Sequence, residues 1–179
     1  MFQLISTIIA VILVAVDQII KNWAAEVLTK GEIPLINNVL YLKYAENTGV
    51  AFSMFSDNRW ILVGVTSLML IAVLAFFLSG KLTDKLEVFS LSLLLAGGVG
   101  NLIDRISLGY VIDYIDVRII NFAIFNLADI CICVGAFLLC VAVYFSDEKE
   151  KKEKALKEKE FDKIDEDLEK LFTKDTDNE

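Results

Sequence analysis

The sequence predicts an all-α polytopic membrane protein, with four transmembrane helices and a small extracytoplasmic loop region containing β structure. Three observations predict it. The chain is 56% hydrophobic with a mean hydropathy of +0.58, high for 179 residues that also carry 23% charged side chains. The apolar residues fall into four runs near the roughly 20 residues needed to cross about 30 Å of hydrocarbon. The charge is segregated: residues 147–179 hold 9 Lys and 14 Asp/Glu, net −5, and residues 1–146 hold 8 Lys/Arg and 11 Asp/Glu, net −3. Two materials therefore meet near Ser146: a four-span membrane domain, 1–146, and a charged cytoplasmic C-terminal tail, 147–179.

The first run, ISTIIAVILVAV, covers about Phe2 to Ile20. No Lys or Arg precedes Lys21 and no polar cleavage region follows directly, so a retained span is expected rather than a secretory signal. The second, ILVGVTSLMLIAVLAFFL, covers Trp60 to about Ser79. The third, with VFSLSLLLAGGVG, covers Leu86 to about Ile106, and the fourth, ADICICVGAFLLCVAVYF, covers Ala128 to Phe145. Between them lie two larger loops, about 21–59 and 107–127. VLYLKY in the first is rich in β-formers and reads as a short strand or hairpin, with NTG as a turn directly after it. Phe52, Phe55, Ile119 and Phe122 place apolar surface in these loops, at headgroup level or in ordinary packing.

Lys81 and Lys85 lie in the loop after the second run, and Lys149, Lys151, Lys152 and Lys154 open the tail. The positive-inside rule puts both termini in the cytoplasm and the two larger loops outside. The first outer loop also carries Lys21, Lys30, Lys43 and Arg59, which weakens the contrast. The tail alternates opposite charges at helical spacing and reads as a solvated helix or an extension, with a partner-binding helix as the alternative.

There is no histidine. That removes His-based acid–base and triad chemistry and most zinc sites, and neither metal nor cofactor is expected. Cys131, Cys133 and Cys140 share the fourth span and read as small packing residues. What remains is carboxylates and amides at span ends. Asp17 and Lys21 are i and i+4 near the end of the first span. Asn101, Asp104 and Arg105 are i, i+3 and i+4 at the end of the third, and Asn126 and Asp129 open the fourth. By the topology above, all lie on one side. Carboxylates near hydrocarbon are costly and face a bundle interior, a cavity or a partner.

Lys21 can reach Asp17, and Arg105 can fork onto Asp104 or an acid across the bundle. Asp113 and Asp129 then have no basic neighbour of their own. Two such acids brought together share a proton, the arrangement that activates water in aspartic proteases. Each residue has a plainer reading. Asp113 is a loop aspartate with Asp116 as a competitor three residues on, and Asp129 is equally a helix-N-terminal carboxylate. Asn47 and Gly49 are turn formers, and GGVG lets the third span approach a neighbour. A transporter would instead carry its acids near mid-span, and a scaffold would use the tail and leave these residues idle.

Taken together, VDQIIK, NTGVAF, GGVGNLIDR, VIDY and FNLAD, in this order across residues 11–135, resemble bacterial lipoprotein signal peptidase (signal peptidase II). The resemblance implies an intramembrane aspartyl endopeptidase of the bacterial inner membrane. Such an enzyme removes the signal peptide of diacylglyceryl-modified prolipoproteins, cutting before the lipidated cysteine. Its partners are those lipidated substrates and membrane lipid, with no nucleic acid. The resemblance implies Asp113 and Asp129 as the catalytic pair. Asn47, Gly49, Asn101, Arg105 and Asn126 match positions lining or supporting the site, and Asp17, with Lys21 in the same word, and Asp104 match acidic positions there. Tyr114 departs mildly from a VIDF-like word, and the tail lies outside the resemblance.

Overall fold

The computed structural model describes residues 1–49, 59–80, 82, 84–120 and 122–176. Phe52 and Phe55, with the end of the NTGVAF word, lie outside the described residues. The elements run α1 (Phe2–Val27), β1 (Ile33–Ile36), β2 (Leu40–Asn47), α2 (Arg59–Leu78), α3 (Lys85–Ser107), β3 (Val111–Val117) and α4 (Leu127–Thr176). The chain is thus mostly helical but not all-α. Its three strands form one antiparallel sheet in the order β1-β2-β3. Two units divide it, Met1–Leu139 and Cys140–Glu179; in the second, α4 stays helical through Thr176.

Among the described residues, four helices are long and apolar enough to cross a membrane: Phe2–Lys30, Arg59–Leu78, Lys85–Ser107 and Leu127–Glu148. Only 11% of the apolar window is buried in the first two, against 56% in α3, so α3 is the axis of the bundle. Val11, Ile12, Leu68 and Met69 project outward. Apolar side chains around the outside of a helix suit lipid, not water. At one end of α3, Phe77 of α2 packs on Val88 and Leu91, with Leu139 of α4 beside them. Asp84 caps that end, its Oδ1 accepting the Leu86 N–H at 2.6 Å.

The other end of the bundle carries the sheet. Ala24 and Leu28 pack against Ile112 and Tyr114 of β3. That contact explains why α1 overruns its expected end at Ile20 by two turns: residues 21–27 bury Lys21 and Ala24, so they stay helical instead of opening a loop. The expected hairpin is present. β1 and β2 join through a turn in which Val39 N–H donates to Ile36 at 3.0 Å, with Asn38 at φ 60°.

The region read as an outer loop from residue 107 contains a strand. α3 ends with Leu108 and Gly109 N–H both donating to the Asp104 carbonyl, and Gly109 at φ 94° reverses the chain directly into β3. β3 pairs with β2, Ala45 opposite Asp113 and Leu42 opposite Ile115, so β2 carries one extra residue, a bulge, beside Asp113. The chain then returns along β3: Tyr114 and Ile115 N–H both donate to Phe125, and Phe125 N–H donates to Ile115 at 3.1 Å. Asn126 and the start of α4 are thereby set next to Asp113.

Candidate active site

Residues 97–100 bring α3 against its neighbours. A Cβ on Gly97 would overlap the Ala128 carbonyl, and one on Gly100 would stand 2.6 Å from Asp17 Oδ2 and 3.4 Å from Ala128 Cβ. The GGVG word is therefore used for close approach, as expected, and it seats the first turn of α4 against α3 and α1.

The first N–H groups of a helix have no partner within it. In α4 each of the first three finds a side chain from a different place. Leu127 N–H donates to Tyr114 Oη at 3.2 Å, Ala128 N–H to Asp17 Oδ1 at 3.1 Å and Asp129 N–H to Asn126 Oδ1 at 2.9 Å. Asp129 Oδ2 reaches back to accept the Asn126 N–H at 3.2 Å, closing a reciprocal capping box. Asp129 is thus a helix-N-terminal carboxylate, but its other oxygen is used elsewhere. Oδ1 accepts from Asn101 Nδ2 at 2.8 Å.

Asp113 is 2% exposed and accepts two amides, Asn126 Nδ2 at 2.6 Å on Oδ1 and Asn47 Nδ2 at 3.0 Å on Oδ2. Neither Asp113 nor Asp129 has a cation at ion-pair distance among the described residues; both are held by asparagine. Which end of an asparagine is nitrogen is decided by its partners, and here they decide it three times. The Asn47 oxygen accepts Gly49 N–H at 3.1 Å, the Asn126 oxygen accepts Asp129 N–H, and the Asn101 oxygen accepts Lys21 Nζ at 2.9 Å. Each NH2 is left facing a carboxylate. Asn47 and Gly49 do form a turn, and the turn aims the amide.

Burial pushes the Asp113 carboxyl up from 3.8 to about 6. The Asn47 amide opposes this, the Asp129 charge adds to it, and the Asn126 amide and the more distant Lys21 charge oppose it.

Lys21 is 1% exposed and pairs with Asp17 Oδ2 at 2.9 Å, as expected, and also with Asp104 Oδ2 at 2.9 Å. The fork expected from Arg105 onto Asp104 or an acid across the bundle is not formed among the described residues. Consecutive helix positions face different ways, so Asp104 turns toward α1 while Arg105 Nη2 donates to the Gly49 carbonyl at 3.1 Å. Asp116 is set apart. Three positions from Asp113 in a strand, it faces the other side of the sheet and pairs with Arg118 Nε at 2.8 Å. Arg118 also binds Glu32 and lies over the Tyr41 ring.

Two residues were not singled out by the sequence reading. Gln18 donates to Asp104 Oδ1 at 2.9 Å and to the Gly100 carbonyl at 3.1 Å; its one signal is its place between Asp17 and Ile19. Tyr114 was noticed only as a departure from a motif, and its hydroxyl is a helix cap.

Asp129 stands in the wall of two apolar cavities. One, about 410 Å³, lies between residues 122–125 and α4, with Asn47, Ile130 and Cys133 in its lining. The other, about 340 Å³, lies between α2, α3 and α4, with Leu62, Met69, Arg105 and Ile132 in its lining. Apolar chambers with a few convergent polar groups are the usual form of a small-molecule or peptide-segment site.

Four helices long and apolar enough to cross a membrane, with buried acids and oriented amides gathered at one end of α3, define an integral membrane protein. The family described as Signal peptidase (SPase) II matches residues 9–145. The lipoprotein signal peptidase of Clostridioides difficile (strain 630) is 40% identical over 146 residues, 79% of this chain and 96% of the relative. That of Lactococcus lactis subsp. lactis (strain IL1403) is 40% identical over 149 residues, 83% and 99% of the two chains. A solved structure described as a bacterial membrane enzyme is 31% identical, with a TM-score of 0.73 over 80% of this chain and 90% of the other; a second is 33% identical with a TM-score of 0.70. The chain belongs to the signal peptidase II family, a family of membrane proteases.

Proposed function

We propose that this chain is an intramembrane aspartyl endopeptidase that removes the signal peptide from diacylglyceryl-modified prolipoproteins, cutting immediately before the lipidated cysteine. The observation that carries the reading is Asn126, which binds Asp113 through its nitrogen and Asp129 through its oxygen and backbone N–H. The charge of Asp129 also acts on the Asp113 carboxyl, and acids coupled in this way take up one proton between them before both ionise. Asp113, buried and shifted upward, is the partner that keeps it. Asp129, in the first turn of α4, makes acceptor bonds only and stands where the helix dipole favours negative charge.

The steps then follow. Water lies between the two acids. Asp129 takes a proton from it as the oxygen attacks the scissile carbonyl, and Asp113 donates its proton to that carbonyl. Asp129, now protonated, gives its proton to the leaving amine as the C–N bond breaks, and one hydroxyl of the tetrahedral carbon returns its proton to Asp113 as the new carbonyl forms. Neither metal nor cofactor enters, and no histidine is needed. The two cavities beside Asp129 suit apolar parts of a substrate that arrives within the bilayer. Lys81, Lys85 and the lysines opening the tail favour cytoplasmic termini, in an inner membrane whose outer face carries the sheet and the site. The membrane domain then ends near residue 146 and the tail occupies the cytoplasm.

The test uses the purified protein in bilayer or detergent with a diacylglyceryl-modified prolipoprotein peptide, product being read on a gel. The parent releases the signal peptide, and D113N and D129N, still folded, release none. Cleavage by both variants removes the dyad. A folded parent that never cuts the lipidated substrate removes the peptidase reading.

A further inference from the structure

The ammonium of Lys21 has three N–H donors, and each finds one acceptor at 2.9 Å: Asp17 Oδ2, Asp104 Oδ2 and Asn101 Oδ1. No donor is left over, which is the condition under which a buried cation is tolerated. Each of the three acceptor residues then makes a second contact at one of the acid-bearing segments. Asp17 Oδ1 accepts the N–H of Ala128, the residue before Asp129. Asp104 Oδ2 accepts the N–H of Ile112, the residue before Asp113, at 3.2 Å. Asn101 Nδ2 donates to Asp129 itself.

We infer that Lys21, with Asp17 and Asp104, is a positioning hub that fixes the start of α4 and the strand β3 relative to each other, and so sets the spacing of Asp129 and Asp113. The inference rests on the peptidase reading for its kinetic consequences, though not for its geometry. Lys21 touches neither acid and acts through Asn101 and through two backbone N–H groups. A hub of this kind serves catalysis because misplacement of reacting groups by about 1 Å costs on the order of a hundredfold in rate.

The geometry makes the two acids of the hub unequal. Asp17 accepts from an ammonium on one oxygen and from a backbone N–H on the other, and neither donor can reverse. Asparagine has one acceptor oxygen and must lose one of these contacts. Asp104 carries Lys21 and the Ile112 N–H on a single oxygen, and its second oxygen accepts from the side chain of Gln18, so an amide nitrogen placed there costs the Gln18 contact and neither anchor. Asparagine at 104 therefore keeps both anchors.

The experiment measures kcat, KM and thermal unfolding for D17N, D104N, K21M, N101A and the K21M/N101A double variant on a lipidated peptide. D17N is expected to lose about a hundredfold in kcat with KM within about threefold, and D104N under about tenfold. K21M and N101A each lower kcat, and the double variant is no worse than the poorer single, because the Asn101 route is one of the three that Lys21 orients. Equal losses in D17N and D104N, or losses that multiply in the double variant, overturn the hub. Should K21M fail to fold, the D17N and D104N comparison, which alters no side-chain volume appreciably, still decides. Proton exchange of the Asn101 side-chain amide, followed by NMR, reads the hub without catalysis: slow in the parent and fast in D17N, with equal rates counting against it. A parent that cuts nothing but shows the slow amide sinks the peptidase reading and leaves the hub standing.

Discussion

Asn126 lies between Asp113 and Asp129, its Nδ2 donating to the first at 2.6 Å and its Oδ1 accepting the N–H of the second at 2.9 Å. It is fully buried, and its amide also contacts Asn101 Oδ1 at 3.2 Å. One side chain thus caps a helix and joins the two acids. Removing it separates those jobs. N126A is expected to lose about 1 kcal/mol of stability from the missing cap and on the order of a hundredfold in kcat from the loosened acids. N126D keeps the cap acceptor but sets a third carboxyl, fully buried, against Asp113, so it unfolds below the parent temperature and is inactive. Thermal unfolding and peptide cleavage on the two variants check both parts, and parental kcat in N126A would end the bridging role.

The pH dependence follows from Asp113. Burial raises its carboxyl to about 6, so the folded protein holds a proton there that an unfolded chain releases near 3.8. Stability from this group is greatest below 3.8 and falls as pH rises through about 6. Catalysis needs the same proton, so kcat/KM of the free enzyme declines on the alkaline side with a midpoint near 6. The Asn47 amide lowers this value, so N47A should move the midpoint upward, against the shift expected if Asn47 only shaped the turn. Charges facing Asp113 are Asp129, Lys21 and Arg105, and N47A leaves all three in place. A pH–rate profile of parent and N47A measures the displacement.

Asp116 provides the contrast within one strand. It and Asp113 belong to the same seven-residue β3, but alternation sends them to opposite faces, Asp113 to asparagines and Asp116 to Arg118. D116N should retain cleavage within a few-fold, with a stability change under about 1 kcal/mol because Arg118 is a third exposed and its ion pairs are screened. A D116N protein that folds and does not cut would move the catalytic assignment to the other face of the sheet.

Much of this arrangement was legible in the sequence because it rests on local spacing. Asp17 and Lys21 at i and i+4, Asn126 and Asp129 at i and i+3, and the absence of histidine are enough to gather polar groups at helix ends. Counting which aspartates lacked a basic neighbour pointed to Asp113 and Asp129 with Asp116 still open, and it was the resemblance that chose Asp113. What escaped was fixed by long-range contacts. Arg105 was matched to Asp104 or to an acid across the bundle, whereas α1 supplies Lys21 from 83 positions away and takes the Asp104 carboxylate. VIDYIDV was read as loop because burial on both faces hides the alternation that marks a half-exposed strand, although its β-branched content was a usable signal. The length of α1 was missed for a similar reason: polar residues 21–26 look like loop until the sheet covers them.

Tyr114 shows how a small departure from a motif acquires a structural task. Its ring packs in the cluster with Ala24 and Leu28, and its hydroxyl accepts the Leu127 N–H, the first free donor of α4. Burial pushes that hydroxyl up to about 12, so it stays protonated and neutral throughout the working range. Y114F keeps the ring and removes the acceptor, leaving one partly buried N–H without its partner. The expected cost is about 1 kcal/mol, seen as a lower unfolding temperature. Cleavage should fall only a few-fold, because Asp17 and Asn126 still hold the next two N–H groups and Asp129 keeps its amides. Combining Y114F with D17N removes two adjacent anchors of one helix turn, and the pair should lose more stability than the sum of the singles. Additive unfolding temperatures would instead mean that the first turn of α4 is held by packing at Gly97 and Gly100, with its capping bonds contributing independently.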